Sequence, residues 1–146
     1  MAMRFVIIDD DIGFRKTLRT IIERYHLGVV VAECGDALKG EIAIREFNPD
    51  IVVVELLLSR KTGIDLAKTF SDTNNDISFI LTSSYLNKSI IKHFFLSGID
   101  FYLRKPIDVL STTSFIEKVI ENKLEQRNIK LKSERNDILS GHIAAR

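Results

Sequence analysis

Cysteine is almost missing from this chain: Cys34 is the sole one among 146 residues. No internal disulfide can form, and a reducing compartment fits. Long hydrophobic runs are missing too. No segment approaches the roughly 20 apolar residues of a membrane span. The opening "MAMRFVIIDDD" meets three acids after an apolar run too short for a secretory leader. Neither sign of charge is in excess, and a net charge of +1 gives no general pull toward nucleic acid or anionic membrane. A glycine-rich phosphate loop is lacking, since "DDDIGF" holds one glycine. His26, His93 and His142 do not sit on the all-α bundle that histidine phosphotransfer needs. These absences predict a cytoplasmic chain with no membrane and no direct nucleic-acid partner; the tail mixes signs, and no helix-turn-helix is readable in it.

What is present is a repeated alternation. Short β-branched runs occur at "RFVII" (4–8), "VVVAE" (29–33), "DIVVVEL" (50–56), "ISFILT" (77–82) and "DFYL" (100–103). Near-continuous apolar runs of this length suit strands covered on both faces, as in a parallel sheet. Between them lie helical stripes: Phe14, Leu18, Ile21, Ile22 and Tyr25; less regularly Leu38, Ile42 and Phe47; then Ile64, Leu66, Ala67 and Phe70; then Ile90, Ile91, Phe94 and Phe95. Five strand–helix repeats predict βαβ units with right-handed crossovers, and so a doubly wound α/β fold.

The tail breaks the alternation. From Asp108 no glycine or proline occurs until Gly141, which predicts one long helix capped at Ser111 or Ser114, the latter with Glu117 at capping-box spacing. Phe115, Ile116, Val119 and Ile120 would pack on the sheet; beyond them only Leu124, Leu131 and Ile138 recur, seven residues apart. That stripe supports two readings, a solvated linker helix or a pairing segment for a homodimer. The expected division is 1–122 for the domain and 123–146 for a helical extension.

Ligands of an open parallel sheet bind beyond the carboxyl ends of its strands. There the sequence places Asp9, Asp10 and Asp11, then Glu55, then Thr82 and Ser83, then Tyr102 and Lys105–Pro106. Each has an ordinary explanation alone: Asp11 as a helix cap, Thr82 and Tyr102 as strand residues, Lys105 as a solvated charge. Together they converge on one rim. Glu55 is the one charge inside an apolar strand and needs a partner, because burying a lone carboxylate is costly.

The motifs "FVIIDDD", "NPDIVVVELLLSRKTGIDL", "ISFILTSS" and "GIDFYLRKPID", in this order, resemble the receiver domain of bacterial response regulators over residues 4 to about 122. The resemblance implies a flavodoxin-like five-stranded sheet in order 2-1-3-4-5, and a non-enzymatic role in two-component, phosphorelay signalling. It implies that Asp9, Asp10 and the backbone carbonyl of Leu57 hold Mg²⁺ weakly. Glu55 stands at the phospho-acceptor position, Thr82 is the switch hydroxyl with Ser83 beside it, Tyr102 is the switch aromatic, and Lys105 pairs with phosphoryl oxygens ahead of a cis bond to Pro106. Gly63 would open the third helix. Partners would be a sensor kinase and an effector domain or protein, met through a face bearing Lys88, Lys92, His93, Arg104 and parts of 108–122.

Two positions depart from the family: Glu55 replaces Asp, and Ser59 replaces a usual proline. The extra methylene carries the carboxylate about 1.5 Å further into the pocket. An ångström-scale misplacement costs on the order of a hundredfold in rate, so Glu55 is expected to be a poor acceptor. Its charge of one stands where phosphorylation supplies about 1.5 to 2, which makes it a partial phosphomimetic. Its expected partner is Lys105, within a wall of Ile7, Val54 and Leu81. Two other readings stay open: an inert docking module of the same fold, and a Mg²⁺-dependent phosphohydrolase using Asp9 and Asp11.

Overall fold

The computed structural model describes residues 2–71, 73, 76–97, 99 and 101–141. His142, the rest of the extension to 146, and Gly98 and Asp100 of the last motif lie outside the described residues. Five strands alternate with five helices: β1 (Arg4–Ile8), α1 (Ile12–Arg24), β2 (Val29–Cys34), α2 (Ala37–Phe47), β3 (Ile51–Glu55), α3 (Gly63–Ser71), β4 (Ser78–Ser83), α4 (Lys88–Leu96), β5 (Phe101–Arg104) and α5 (Val109–Leu139). The sheet is parallel throughout, in order β2-β1-β3-β4-β5.

Side chains of alternate parity fill two separate cores. Phe5, Ile7, Ile51, Val53 and Ile80 meet α1 and α5 through Leu18, Ile22, Ile116 and Val119. Val6, Ile8, Val52, Val54 and Leu81 meet the other three helices through Ile44, Leu66, Ala67 and Phe94. All five residues of β3 are buried, as its near-continuous apolar run requires of a central strand.

Three local expectations need correction. On α2, Leu38 and Ile42 face solvent, and the helix instead buries Ala37, Gly40, Ala43 and Ile44. Small residues allow this helix to sit close: a Cβ on Gly40 would lie 2.5 Å from Ile8 Cδ1. On α4 Phe94 is buried and Ile90 and Ile91 pack partly buried on the core, but Phe95 is exposed. The cap of α5 is Asp108, which accepts from Ser111 N at 2.8 Å, so neither Ser111 nor Ser114 caps it.

The single long helix is present as 31 residues, but a boundary after Asn122 cuts through a contact. Lys123 is buried and donates to the Asp76 carbonyl and to Ser78 Oγ. Arg127 reaches Asp50 Oδ1 at 2.7 Å and Asp76 Oδ2 at 3.0 Å. These acids precede β3 and β4, so the helix is tied to the sheet as far as Arg127; beyond it, residues 128–140 are exposed.

Candidate functional site

The site is one row of side chains at the carboxyl edge. In β3–β4 register Glu55 pairs with Thr82, and in β4–β5 register Thr82 pairs with Leu103. Strand parity carries the row outward to Asp9, two residues after Ile7, and to Lys105, two after Leu103. Four groups from four strands thus share the α1/α5 face. Asp9 and Thr82 are fully buried and Glu55 nearly so.

Lys105 ties the row together. Its Nζ lies 2.6 Å from Asp9 Oδ2 and 2.9 Å from Glu55 Oε2, with side-chain exposures of 16%, 1% and 10% in that order. Thr82 Oγ1 donates to Glu55 Oε2 over 3.4 Å. Burial alone would push the lysine pKa down, yet the bonds to Asp9 and Glu55 outweigh it and hold it above the usual 10.5. The expected Glu55–Lys105 contact is therefore present, but Glu55 shares the lysine with Asp9.

The wall differs from expectation. Val54 and Leu81 belong to the opposite core, and of the three only Ile7 faces this side. The cover comes from Phe14 in the first turn of α1, whose ring centroid is 4.3 Å from Lys105 Nζ, a cation–π distance. Arg15, one residue on, donates from Nη1 to the Asp9 carbonyl at 2.5 Å and pairs with Glu33 on β2. Neither residue was singled out from sequence. Phe14 read as part of the core stripe of α1, and only the placement of that helix start over the strand ends turns it toward Lys105.

Asp11 caps α1, its Oδ1 accepting from Phe14 N at 3.1 Å, as its ordinary explanation holds. That bond turns its carboxylate to the helix start and weakens the phosphohydrolase reading. Asp10 is exposed. Both oxygens of Asp9 are bonded, Oδ2 to Lys105 and Oδ1 to Asp11 N at 2.9 Å. Among the described residues no three acidic, histidine or cysteine side chains converge as an ion cage. The donor set of Asp9, Asp10 and the Leu57 carbonyl thus fits a divalent ion only if Lys105 gives up Asp9.

Tyr102 is not brought to the acids. It pairs with Leu81, on the face away from Thr82, and its ring stands edge-on to Phe94 at 5.7 Å and Phe95 at 6.5 Å. Ser83 is spent on the loop, its Oγ accepting from Tyr85 N. The Lys105–Pro106 bond is cis. Gly63 opens α3 where the chain doubles back on β3: a Cβ there would lie 2.4 Å from the Glu55 carbonyl oxygen. Gly63→Ala should therefore cost about 1–3 kcal/mol, read as a lower urea midpoint; an unchanged midpoint would show that α3 can simply shift.

Known proteins are similar to this chain in sequence and in fold. Residues 5–117 match the family described as the response regulator receiver domain. The chain is 30% identical over 120 residues to the transcriptional regulatory protein GlnL of Bacillus subtilis, covering 82% of this chain and 38% of that protein. It spans less than half the length of the curated relatives it matches. A two-component response regulator of the LuxR family from Aurantimonas sp. superposes with a TM-score of 0.76 at 26% identity, covering 84% of this chain and 87% of that one. A CheX–CheY–BeF₃⁻–Mg²⁺ complex from Borrelia burgdorferi shares the fold, with a TM-score of 0.74 at 18% identity over 81% of this chain and 89% of that one.

Proposed function

This chain belongs to the response regulator receiver domain family, a family of signalling proteins rather than typical enzymes, and we propose that it is a receiver whose Glu55 is a poor phospho-acceptor and a partial mimic of the phosphorylated state. The observation that carries this is the position of Glu55 Oε2, 2.9 Å from Lys105 Nζ and 3.4 Å from Thr82 Oγ1. The two groups assigned to phosphoryl oxygens already hold a carboxylate oxygen. Phosphoryl uptake from a small phosphodonor, compared between wild type and Glu55→Asp, tests the reading. Mg²⁺ is a weak ligand on this reading, held by Asp9, Asp10 and the Leu57 carbonyl, and its contribution would be to offset the charge of the acid pair. On this reading the site of action is cytoplasmic, and Cys34, the single cysteine, is buried and free.

Output passes through protein contacts with a sensor kinase, an effector domain or an effector protein. The α4–β5–α5 face presents Lys88, Lys92 and Arg104 together with Phe95, Leu96 and Leu110, all exposed, whereas His93 lines the groove between α3 and α4 with Thr62 and Ile64. Tyr102 links this patch to the site, since its strand neighbour Leu103 pairs with Thr82.

The domain unit runs to about Arg127, with the remainder an extension. Leu124, just before it, and Leu131 and Ile138 on it are all exposed, and a second copy of the chain is the partner that would cover them. Sedimentation should give a concentration-dependent dimer for the full chain and a monomer for a chain cut after Asn128. Two monomers would make the extension a linker.

A further inference from the structure

Strand β2 is an open edge of the sheet. An edge strand presents unpaired N–H and C=O groups, a template on which another chain can add a strand. The sequence of β2 suits such addition: its six residues, VVVAEC, begin with three β-branched side chains and hold neither glycine nor proline. Val29 N donates to the Met3 carbonyl at 2.8 Å and the Cys34 carbonyl accepts from Asp9 N at 2.9 Å, so both ends of β2 face β1. Successive residues of a parallel ladder turn their backbone groups to opposite sides. The amide and carbonyl of Val30 therefore point outward.

Two features close this edge. One is a bulge: Phe5 pairs with Val30 and Val6 with Ala32, which leaves Val31 over and interrupts the regular spacing an added strand needs. The other is a pair of side chains from α1. Glu23 Oε2 accepts from Val30 N at 3.3 Å, and Arg19 Nη2 donates to the Val30 carbonyl at 3.5 Å. Arg19 Nε lies 3.2 Å from Glu23 Oε1, and its Nη1 reaches Glu33 Oε2 at 2.8 Å. Arg15 holds the other oxygen of Glu33 at 3.3 Å. The side chains of Arg19 and Glu23 are 43% and 41% exposed, and ion pairs so solvated add little to stability. What they do is occupy the two backbone groups that an incoming strand would use.

We propose that Arg19 and Glu23 are a guard over the open edge of β2, which keeps a second copy of this chain from adding its own β2 there. A second copy is the partner that fits, because the edge is self-complementary. Antiparallel addition about a twofold axis sets Val30 opposite Val30, and the two residues can exchange both N–H···O bonds. The bulge at Val31 keeps that pairing short, so the bare edge associates in a concentration-dependent way.

Sedimentation of the full chain over a concentration series tests this, with the infrared amide I band reporting new strand pairs. Arg19→Ala/Glu23→Ala keeps α1, since alanine is the best helix former. Its average mass should rise toward about twofold that of wild type at the same concentration, as a twofold pairing requires, with a growing strand band. Glu23→Ala alone frees only the N–H; it should move the mass part of the way, and it serves if the double variant does not fold. Val29→Lys added to the double variant should restore the wild-type mass, because Val29 is exposed and a charge on an edge opposes strand addition. Pairing of the extensions is helical and common to all these chains, so it drops out of the difference. Equal masses for the double variant and wild type would overturn the proposal. Association that Val29→Lys leaves in place would overturn it too, since it would then arise from partial unfolding and not from the edge.

Discussion

Glu55→Asp should accumulate an acyl phosphate from a small phosphodonor and Mg²⁺, while the wild-type chain gains it on the order of a hundredfold more slowly. In that step a carboxylate oxygen attacks phosphorus in line, a new O–P bond forms, and the donor's own O–P bond breaks with its electron pair leaving on the donor. The attacking oxygen must lie about 3–3.5 Å from phosphorus with room beyond it for the transferred group. In the wild-type pocket Glu55 Oε2 is engaged by Lys105 and by the Thr82 hydroxyl, and on the proposed reading it takes up that room. An Asp at this position draws the carboxylate back by about 1.5 Å and frees both groups for phosphoryl oxygens. Intact mass of the two chains after equal exposure reads the difference directly. Equal phosphoryl uptake would show that the pocket tolerates the longer side chain as a nucleophile, and the mimic reading would go with it.

The fold and the row of site residues were legible because two simple periodicities decide them. Alternation along β1, β3 and β4 fixes which side chains share a face, and the parallel order brings the ends of those strands to one edge. Asp9, Glu55, Thr82 and Lys105 could therefore be read as neighbours from their place at strand ends. What failed were contacts that depend on how closely a helix sits. The apolar stripe on α2 pointed to Leu38 and Ile42, but the sheet accepts the side with Gly40 and Ala43 because it lets the helix approach Ile8. Phe14 and Arg15 join the site through the placement of α1, which no spacing in the sequence encodes. Lys123 and Arg127 fall in the expected 123–146 extension, and long-range partners at Asp50 and Asp76 make them part of the body. Wall residues Val54 and Leu81 were assigned by proximity in sequence to the site, without regard to the face each occupies.

Lys105→Ala should be among the most destabilising single changes at this edge, costing about 3–5 kcal/mol, because it strands charges that are otherwise paired in a buried setting. Asp9 and Glu55 keep side-chain exposures of only 1% and 10%. Their mutual repulsion, at about 5 Å and an effective dielectric near 20, is roughly 3 kcal/mol once the ammonium between them is gone. The same substitution in a Glu55→Gln background should cost less by about 1–3 kcal/mol, since only Asp9 is then left charged. Urea denaturation of the four chains of this cycle gives the coupling, and additive losses would mean that Lys105 serves Asp9 alone. The pH dependence adds an independent check with a definite sign. Burial works against the charged lysine, but its bonds to the two acids raise its folded pKa above 10.5. A base whose pKa is higher in the folded state stabilises the fold fully below its unfolded value and loses that contribution as pH rises through the folded one. Wild type should therefore lose stability above about pH 10.5 more steeply than Lys105→Ala, and the difference between the two chains should narrow with each further rise in pH. A gap that stays constant through that range would place the cost of Lys105→Ala in lost packing against Phe14, not in lost charge.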